Sequence, residues 1–350
     1  VGNDSQTFSV FNLKNKRGWI FVLYIKYIMS LKNQKNTIIQ KYKLYKKNRK
    51  FVNFKDIVAT PIKKCKIAII IPYRNREEHL ADFINHFNKL DNSNISESQL
   101  DVYIIEQNNE DKFNRGLLLN IGYLLARENT RYDRYIFHDV DLFPSQFIYE
   151  VYFVDPKKQI HYIIPKEEHK YNFENYFGGV VGLSEEIVQK VNGYPNNFFG
   201  WGGEDDSLYN RITANNIEMY RPTNGGYELA IHDAPTRGEI NREKQENILN
   251  DLKDWRLNGI NQLMNMLFIN IEKDEKQIAH FPQNTNKNMK YLFYKINYLS
   301  KNKNVYLRFT EEINKEGINV DVEKIIQSKR KKCRNGYNKT NRTKKCIKQK

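Results

Sequence analysis

Cysteine is scarce in this chain: three in 350 residues, at Cys65, Cys333 and Cys346. Their spacing fits neither a zinc site nor a disulfide framework. Cys333 and Cys346 share a basic tail, where they either pair in an oxidising compartment or stay as surface thiols. Long apolar runs are missing too. Trp19 to Met29 is 11 residues interrupted by Lys26, against roughly 20 for a bilayer span. It reads as a buried or interfacial helix with basic flanks; a degenerate membrane anchor is the alternative. No Gly-x-Gly-x-x-Gly opens a helix, and there is no Walker loop, so the dinucleotide fingerprint is absent. Any phosphate would be met by arginines and a divalent metal.

Acids are missing from both ends. Residues 1–66 hold 16 Lys/Arg against 2 Asp/Glu, and residues 327–350 hold 11 Lys/Arg and no acid. The net charge of +16 therefore belongs to the ends, and the body between them is acidic. This argues against a nucleic-acid groove in the body. Asn-x-Ser/Thr sequons stand at Asn3, Asn94, Asn338 and Asn341, and chance accounts for most of them in so Asn-rich a chain.

The body reads as alternating strands and helices. Lys66 to Pro72 is a continuous aliphatic run ended by Pro, a central strand buried on both faces. Glu77 and Glu78 open a helix to about Leu90, with Leu80, Phe83, Ile84 and Phe87 on one stripe. Asp101 to Glu106 is a second strand, Leu117 to Arg127 a helix, and Tyr135 to His138 a third strand. This order predicts an α/β fold, Rossmann-like, with a mostly parallel central sheet and helices on both faces. Gln159–Ile164, Tyr176–Val181 and Tyr227–Ile231 read as further strands. Helices are expected from Ser184 to about Val191, over Leu208–Asn216 and over Asn241–Trp255. Lys290–Phe309 adds strands. The division is a basic stem over 1–65, a catalytic unit over 66–272, an extension over 273–326 and a basic tail over 327–350.

Two acidic runs carry the chemistry. In such sheets ligands bind beyond the carboxyl ends of the strands, and Arg74, Arg76, Asp139 and Asp141 fall there. Asp139-Val140-Asp141 follows a short apolar strand, as expected of carboxylates delivered to a metal. Gly200-Trp201-Gly202-Gly203-Glu204-Asp205-Asp206 gathers three acids behind a Trp on a glycine-rich loop. Adjacent acids repel and are costly to bury without a use. The Trp face suits the C–H face of a sugar. The blander reading makes Asp206 or Ser207 the cap of the following helix. Together the runs point to metal-assisted transfer to a sugar hydroxyl.

The chain resembles the β-1,4-galactosyltransferases. The resemblance rests on Ile71-Pro72-Tyr73-Arg74-Asn75-Arg76, Phe113-Asn114-Arg115, His138-Asp139-Val140-Asp141, Tyr176-Phe177-Gly178-Gly179, the Trp201 run and Ile231-His232-Asp233. It covers roughly residues 66–265 and implies a nucleotide-sugar transferase fold with an inverting, Mn²⁺-dependent transfer of galactose from UDP-galactose to a glycan acceptor. It also implies a Golgi-type secretory membrane. Pro72, Tyr73, Arg74, Arg76, Phe113, Arg115, Asp139 and Val140 would hold the nucleotide. Asp141 and His232 would bind Mn²⁺. Tyr176, Gly179, Trp201 and Gly203 would line the sugars, and Asp205 would be the base, with Glu204 and Asp206 shaping the acceptor site. Many family members carry a Met three residues before the metal His, or a second His two before it. Here those places hold Leu229 and Ala230, which bind no metal. Alternatives are transfer of another UDP-hexose such as UDP-N-acetylgalactosamine, a catalytically silent sugar-binding or scaffold protein, and a basic-tailed binder of polyanions.

Overall fold

Five consecutive residues of the first aliphatic run decide the architecture. In a computed structural model of the chain, Ile67, Ile69 and Ile71 enter one apolar cluster and Ala68 and Ile70 another. Side chains alternate across a strand, so this strand is sandwiched between two layers. The structure describes residues 49–54, 64–164, 176–229, 241–265, 270–274, 289–297, 299–301 and 304–306, with 38, 40, 41, 43 and 44.

Eleven strands are needed to place the site. They are β1 (Val52–Phe54), β2 (Lys66–Tyr73), β3 (Gln99–Gln107), β4 (Arg134–His138), β5 (Leu142–Pro144), β6 (Gln159–His161), β7 (Val180–Leu183), β8 (Met219–Pro222), β9 (Tyr227–Leu229), β10 (Asn270–Lys273) and β11 (Met289–Asn297). Nine form one sheet in the order β1-β8-β6-β7-β4-β2-β3-β11-β10, and β5 pairs with β9 separately. β2 is parallel to both β3 and β4. β7 runs antiparallel to β4, with Val180 opposite His138. The start of β7 therefore lies beside the end of β4.

Helices cover both faces, as the sequence predicts. α1 (Glu77–Lys89) and α3 (Gln146–Val151) pack on the first cluster through Leu80, Phe83, Phe87, Ile148 and Tyr149. α2 (Arg115–Asn129) and α5 (Glu204–Ala214) pack on the second through Leu117, Leu118, Leu208 and Ile212. α4 (Glu185–Lys190) is capped by Ser184, whose side chain accepts from the Ile187 amide. Asn241 caps α6 (Arg242–Asp254) in the same way, and α7 (Ile260–Asn265) follows.

Three expectations are corrected. Tyr176–Val181 is not one strand: residues 176–179 are irregular and pairing begins at Val180. Gly178 and Gly179 take φ of 154° and 72°, which interrupts an extended ladder. The helix expected from Leu208 begins four residues earlier, at Glu204, with Gly203 at its N-cap in a left-handed conformation and no side-chain cap. A Cβ on Gly203 would lie 2.5 Å from the Phe198 ring, so glycine is required on both counts. The boundaries drawn at 66 and 272 also fall inside the sheet. β1 pairs with β8 on one side, and β11 pairs in parallel with β3 on the other. Leu299–Lys301 and Asn304–Tyr306 form a separate hairpin. Trp19–Met29, Cys333, Cys346, Ala230 and His232 lie outside the described residues.

Candidate active site

The site forms where β2, β3 and β4 end and β7 begins. β2 ends at Tyr73, and the chain turns through Arg74, Asn75 and Arg76 into α1; Asn75 has φ 49°. Arg74 donates to the Asp111 carbonyl at 2.6 Å and lies 5.3 Å from the Phe113 ring centroid. Arg76 reaches the Asp141 carboxylate at 3.5 Å. Its amide hydrogen bonds to the Tyr73 hydroxyl at 3.3 Å. Tyr73 itself is buried against Phe293, and Val140 belongs to the first core cluster. Pro72 is buried in the strand. The side chains of Tyr73 and Val140 thus serve the core, and it is their neighbours that face the edge.

Arg115 ties the two acidic runs together. It stands at the start of α2, where the Asn114 side chain accepts from the Leu117 amide. Its Nε donates to Asp139 at 2.7 Å and its Nη1 to Asp205 at 2.7 Å, with Glu204 at 3.6 Å. The guanidinium also lies 5.7 Å from the Tyr194 ring centroid. The Asp139 amide donates to the Gly179 carbonyl at 3.0 Å, which fastens the Asp-Val-Asp turn to the irregular segment before β7. That segment in turn touches the base candidate: a Cβ on Gly178 would stand 2.5 Å from Asp205 Oδ2 and 3.0 Å from the Tyr176 hydroxyl. The close approach leaves room for hydrogen alone.

Three consecutive acids in the first turn of α5 divide between two settings, because successive helical residues point about 100° apart. Glu204 and Asp205 face Arg115. Asp206 turns away from them and pairs with the buried Arg49. Burial pushes the Asp205 carboxyl well above the usual carboxylate range, opposed by Arg115 and reinforced by Glu204 and Asp139. Burial also raises Glu204, against Arg115. The helix N-terminus favours negative charge here, yet desolvation outweighs it. Trp201 is 53% exposed, and its carbonyl accepts from Lys244 of α6. α5 is fastened to α6 by a buried bidentate pair, Arg211 to Asp251, both bonds 2.7 Å.

His138, at the end of β4, is a core residue. Its Nδ1 lies 2.7 Å from the Asp139 carbonyl and its Nε2 2.9 Å from the Tyr152 hydroxyl. Burial lowers its pKa to about 4, so the ring is neutral. The metal pair is half described. Asp141 is in place at the strand end. β9 pairs with β5 so that Leu229 opposes Leu142, the neighbour of Asp141. His232 lies outside the described residues. A carboxylate oxygen such as that of Asp141 is a donor type that suits Mn²⁺. Among the described residues, no group of three His, Cys, Asp or Glu gathers as a metal cage.

A family model described as the N-terminal region of glycosyl transferase group 7 matches residues 26–153. A second, described as the N-terminal domain of galactosyltransferase, matches residues 158–233. Together they take in more than half of the chain. The chain belongs to the β-1,4-galactosyltransferase family. It is 35% identical over 223 residues to human beta-1,4-galactosyltransferase 4, covering 60% of this chain and 63% of that one. Against beta-1,4-galactosyltransferase 2 of Cricetulus griseus it is 34% identical over 200 residues, 56% of this chain and 54% of that one. The chain thus matches between half and two thirds of the length of these relatives. The catalytic domain of Drosophila beta1,4-galactosyltransferase 7, solved with xylobiose, shares the fold at a TM-score of 0.51 and 23% identity, over 66% of this chain and 93% of that one. The α/β fold is therefore that of a nucleotide-sugar transferase family. The family's pattern points to Arg115, Asp139 and Asp205, which the structure gathers into one cluster. Arg49, Tyr194, Arg221 and Lys244 went unnoticed in the sequence. Arg49 sits at the end of the lysine-rich stretch Lys41 to Lys50, where a single basic residue draws no attention.

Proposed function

We propose that this chain transfers galactose from UDP-galactose to a hydroxyl of a glycan acceptor, inverting the anomeric centre. The observation that carries the reading is Arg115, which bridges Asp139 and Asp205 at 2.7 Å each. A cation held between two carboxylates beyond the strand ends is ready to meet a diphosphate. Arg74 and Arg76 flank the same edge and would bear the rest of its charge. Bound diphosphate competes for Arg115 and frees the Asp205 carboxylate.

The acceptor hydroxyl is a poor nucleophile until it loses its proton. Asp205 takes that proton as the oxygen attacks C1 of galactose; the C1–O bond to UDP breaks from the opposite face, and UDP leaves. A base poised near the working pH serves best, and burial has moved Asp205 in that direction. Glu204 holds Arg115 and the acceptor edge. Tyr176, Gly179, Gly203 and Trp201 would line the sugars, and closure of the exposed Trp201 loop would exclude water. Asp141 and His232 would hold Mn²⁺, which when bound supplies positive charge to the leaving diphosphate.

A second reading, a catalytically silent sugar binder, draws on Leu229 and Ala230. Leu229 pairs with Leu142 as an ordinary strand residue and offers no ligand atom. Incubation with a panel of UDP-sugars, with and without Mn²⁺ and candidate acceptors, separates the two. UDP release that depends on acceptor and favours UDP-galactose supports the transferase; donor binding without release supports the silent reading. Full turnover in chelator would remove the metal from the scheme and leave Arg74, Arg76 and Arg115 to bear the diphosphate. Among the described residues no helix is long and apolar enough to cross a membrane.

A further inference from the structure

Residues 49–51, in the basic N-terminal part of the chain, lie against both walls of the site. On one side, Arg49 is buried, its side chain 0% exposed, and pairs with Asp206, 9% exposed, in the first turn of α5. Its guanidinium covers the Tyr209 ring at 4.9 Å. The Lys50 amide donates to the Tyr209 hydroxyl at 2.8 Å, and that hydroxyl lies 3.1 Å from the Lys50 carbonyl. Asp206 and Tyr209 are three residues apart on one helix face, so this short stretch grips the first two turns of the helix that carries Asp205.

On the other side, Phe51 stacks on His161 at 5.5 Å and on Phe177 at 6.4 Å, with the Arg221 guanidinium 3.6 Å above its ring. Arg221 donates to the Tyr176 carbonyl at 2.6 Å and to His161 Nδ1 at 3.0 Å. His161 Nε2 stands 2.9 Å from the Gly178 carbonyl. Phe51 thus backs the segment Tyr176–Gly178, the wall that Asp205 touches. Pairing of β1 with β8 fixes both grips in register.

We infer that residues 49–54 form a strap that sets the Asp205 carboxylate against Tyr176–Gly178, with Arg49 as a positioning residue that never touches substrate. Packing alone does not call for a buried ion pair, since two apolar residues of similar volume serve stability as well or better. What the pair adds is direction: it draws Asp206 to the far side of α5 and leaves Glu204 and Asp205 to face Arg115. The inference rests on the reading of Asp205 as the base.

Two readouts separate the strap from that reading. Amide hydrogen exchange on the full chain is followed in segments 203–210 and 176–181, and steady-state transfer from UDP-galactose is measured beside it. Arg49→Ala should speed exchange in 203–210 and lower kcat about ten- to a hundredfold, the scale of a small misplacement of a reacting group, with donor KM unchanged. Arg49→Lys, which keeps the charge, should recover most of the loss. Phe51→Ala should speed exchange in 176–181 and raise donor KM. Wild-type exchange in both segments and wild-type kinetics in both variants would overturn the strap. Should Arg49→Ala not fold, Asp206→Asn decides alone: faster exchange in 203–210 supports the strap, unchanged exchange overturns it. A wild-type chain that turns over no UDP-sugar refutes the transferase reading, and the exchange data still decide the strap.

Discussion

The two acidic runs differ in how the backbone presents them. Asp139 and Asp141 follow β4 in a tight turn held by the Asp139 amide on Gly179, and their side chains are 29% and 12% exposed. Each has an arginine partner across the edge, Arg115 and Arg76. Glu204, Asp205 and Asp206 instead open a helix, and the helical turn splits them between two cations on opposite sides. A turn at a strand end offers its carboxylates outward together, as a metal or diphosphate site needs. A helix start can turn one acid inward to be anchored and aim its neighbour at the ligand. The first run collects charge; the second aims a single group.

The sharpest way to break this contrast is Asp205→Asn. The amide keeps the shape and cannot take a proton. Transfer should fall at least about a hundredfold, the lower range for acid–base assistance, while UDP binding measured by calorimetry stays. Near-normal turnover would remove Asp205 from the mechanism and make both acidic runs binding elements.

Tyr176 tests the wall that the second run faces. Its hydroxyl approaches Gly178, and its ring lies 5.8 Å from His161. If it crowds the donor C2 group, Tyr176→Leu should shift preference from UDP-galactose toward UDP-N-acetylgalactosamine by about ten- to two-hundredfold, the worth of one pocket contact. Both donors are measured at matched folded concentration. A parallel loss for both would mean that Tyr176 serves the core and not the donor.

Much of this was legible in the sequence. Ile67–Pro72 is apolar and buried at every position because both faces of β2 are covered. α1 showed its stripe of Leu80, Phe83, Ile84 and Phe87, all buried as expected. The pieces that escaped notice lack periodic signal. β1 is three residues long and joins the sheet only because β8 leaves an edge for it. β11 lies largely within the stretch Lys290–Phe309 read as strands, but its place beside β3, almost 200 residues away, is set by tertiary contact alone. The early start of α5 depends on the left-handed Gly203, and a glycine among other glycines does not announce which one turns the chain. Of the site, the residues that the structure gathers at the strand ends, Arg115, Asp139 and Asp205, were readable. Those that hold them from behind were not, since Arg49 looks like its neighbours until it is buried.

Arg115 couples the two runs, and its removal should sharpen the contrast through pH. Opposite charge lowers a carboxyl's proton affinity, commonly by about one to three units, and Arg115 is the main influence holding Asp205 down against burial. In Arg115→Gln that restraint is lost, and the folded-state value rises further. A base works only when deprotonated, so the acid limb of kcat/KM should move to higher pH, with Asp139 left unpaired. An unmoved limb would mean that the limb reports another group.

The smallest effect lies behind the first run, in His138. Burial lowers the ring from its ordinary 6.5 to about 4. The unfolded chain therefore binds a proton at pH values where the folded chain does not. Stability is fully present above about 6.5 and falls as pH drops toward 4, by up to about 1.4 kcal/mol per unit for this one ring. Below 4 both states are protonated, and this contribution stops changing. His138→Gln keeps a polar side chain beside the Tyr152 hydroxyl and removes the titration. Urea unfolding between pH 7 and 4 should show a shallower loss in the variant than in the wild type, whatever its absolute stability. Parallel curves would show that other groups, His161 among them, set the acid response, since its ring is also held neutral by burial and by Arg221. The same curves bear on the comparison of the two runs. Glu204 and Asp205 hold protons more tightly folded than unfolded, so acid relieves their burial instead of opposing it. Acid weakens the fold behind Asp139 and Asp141 and eases it at the start of α5.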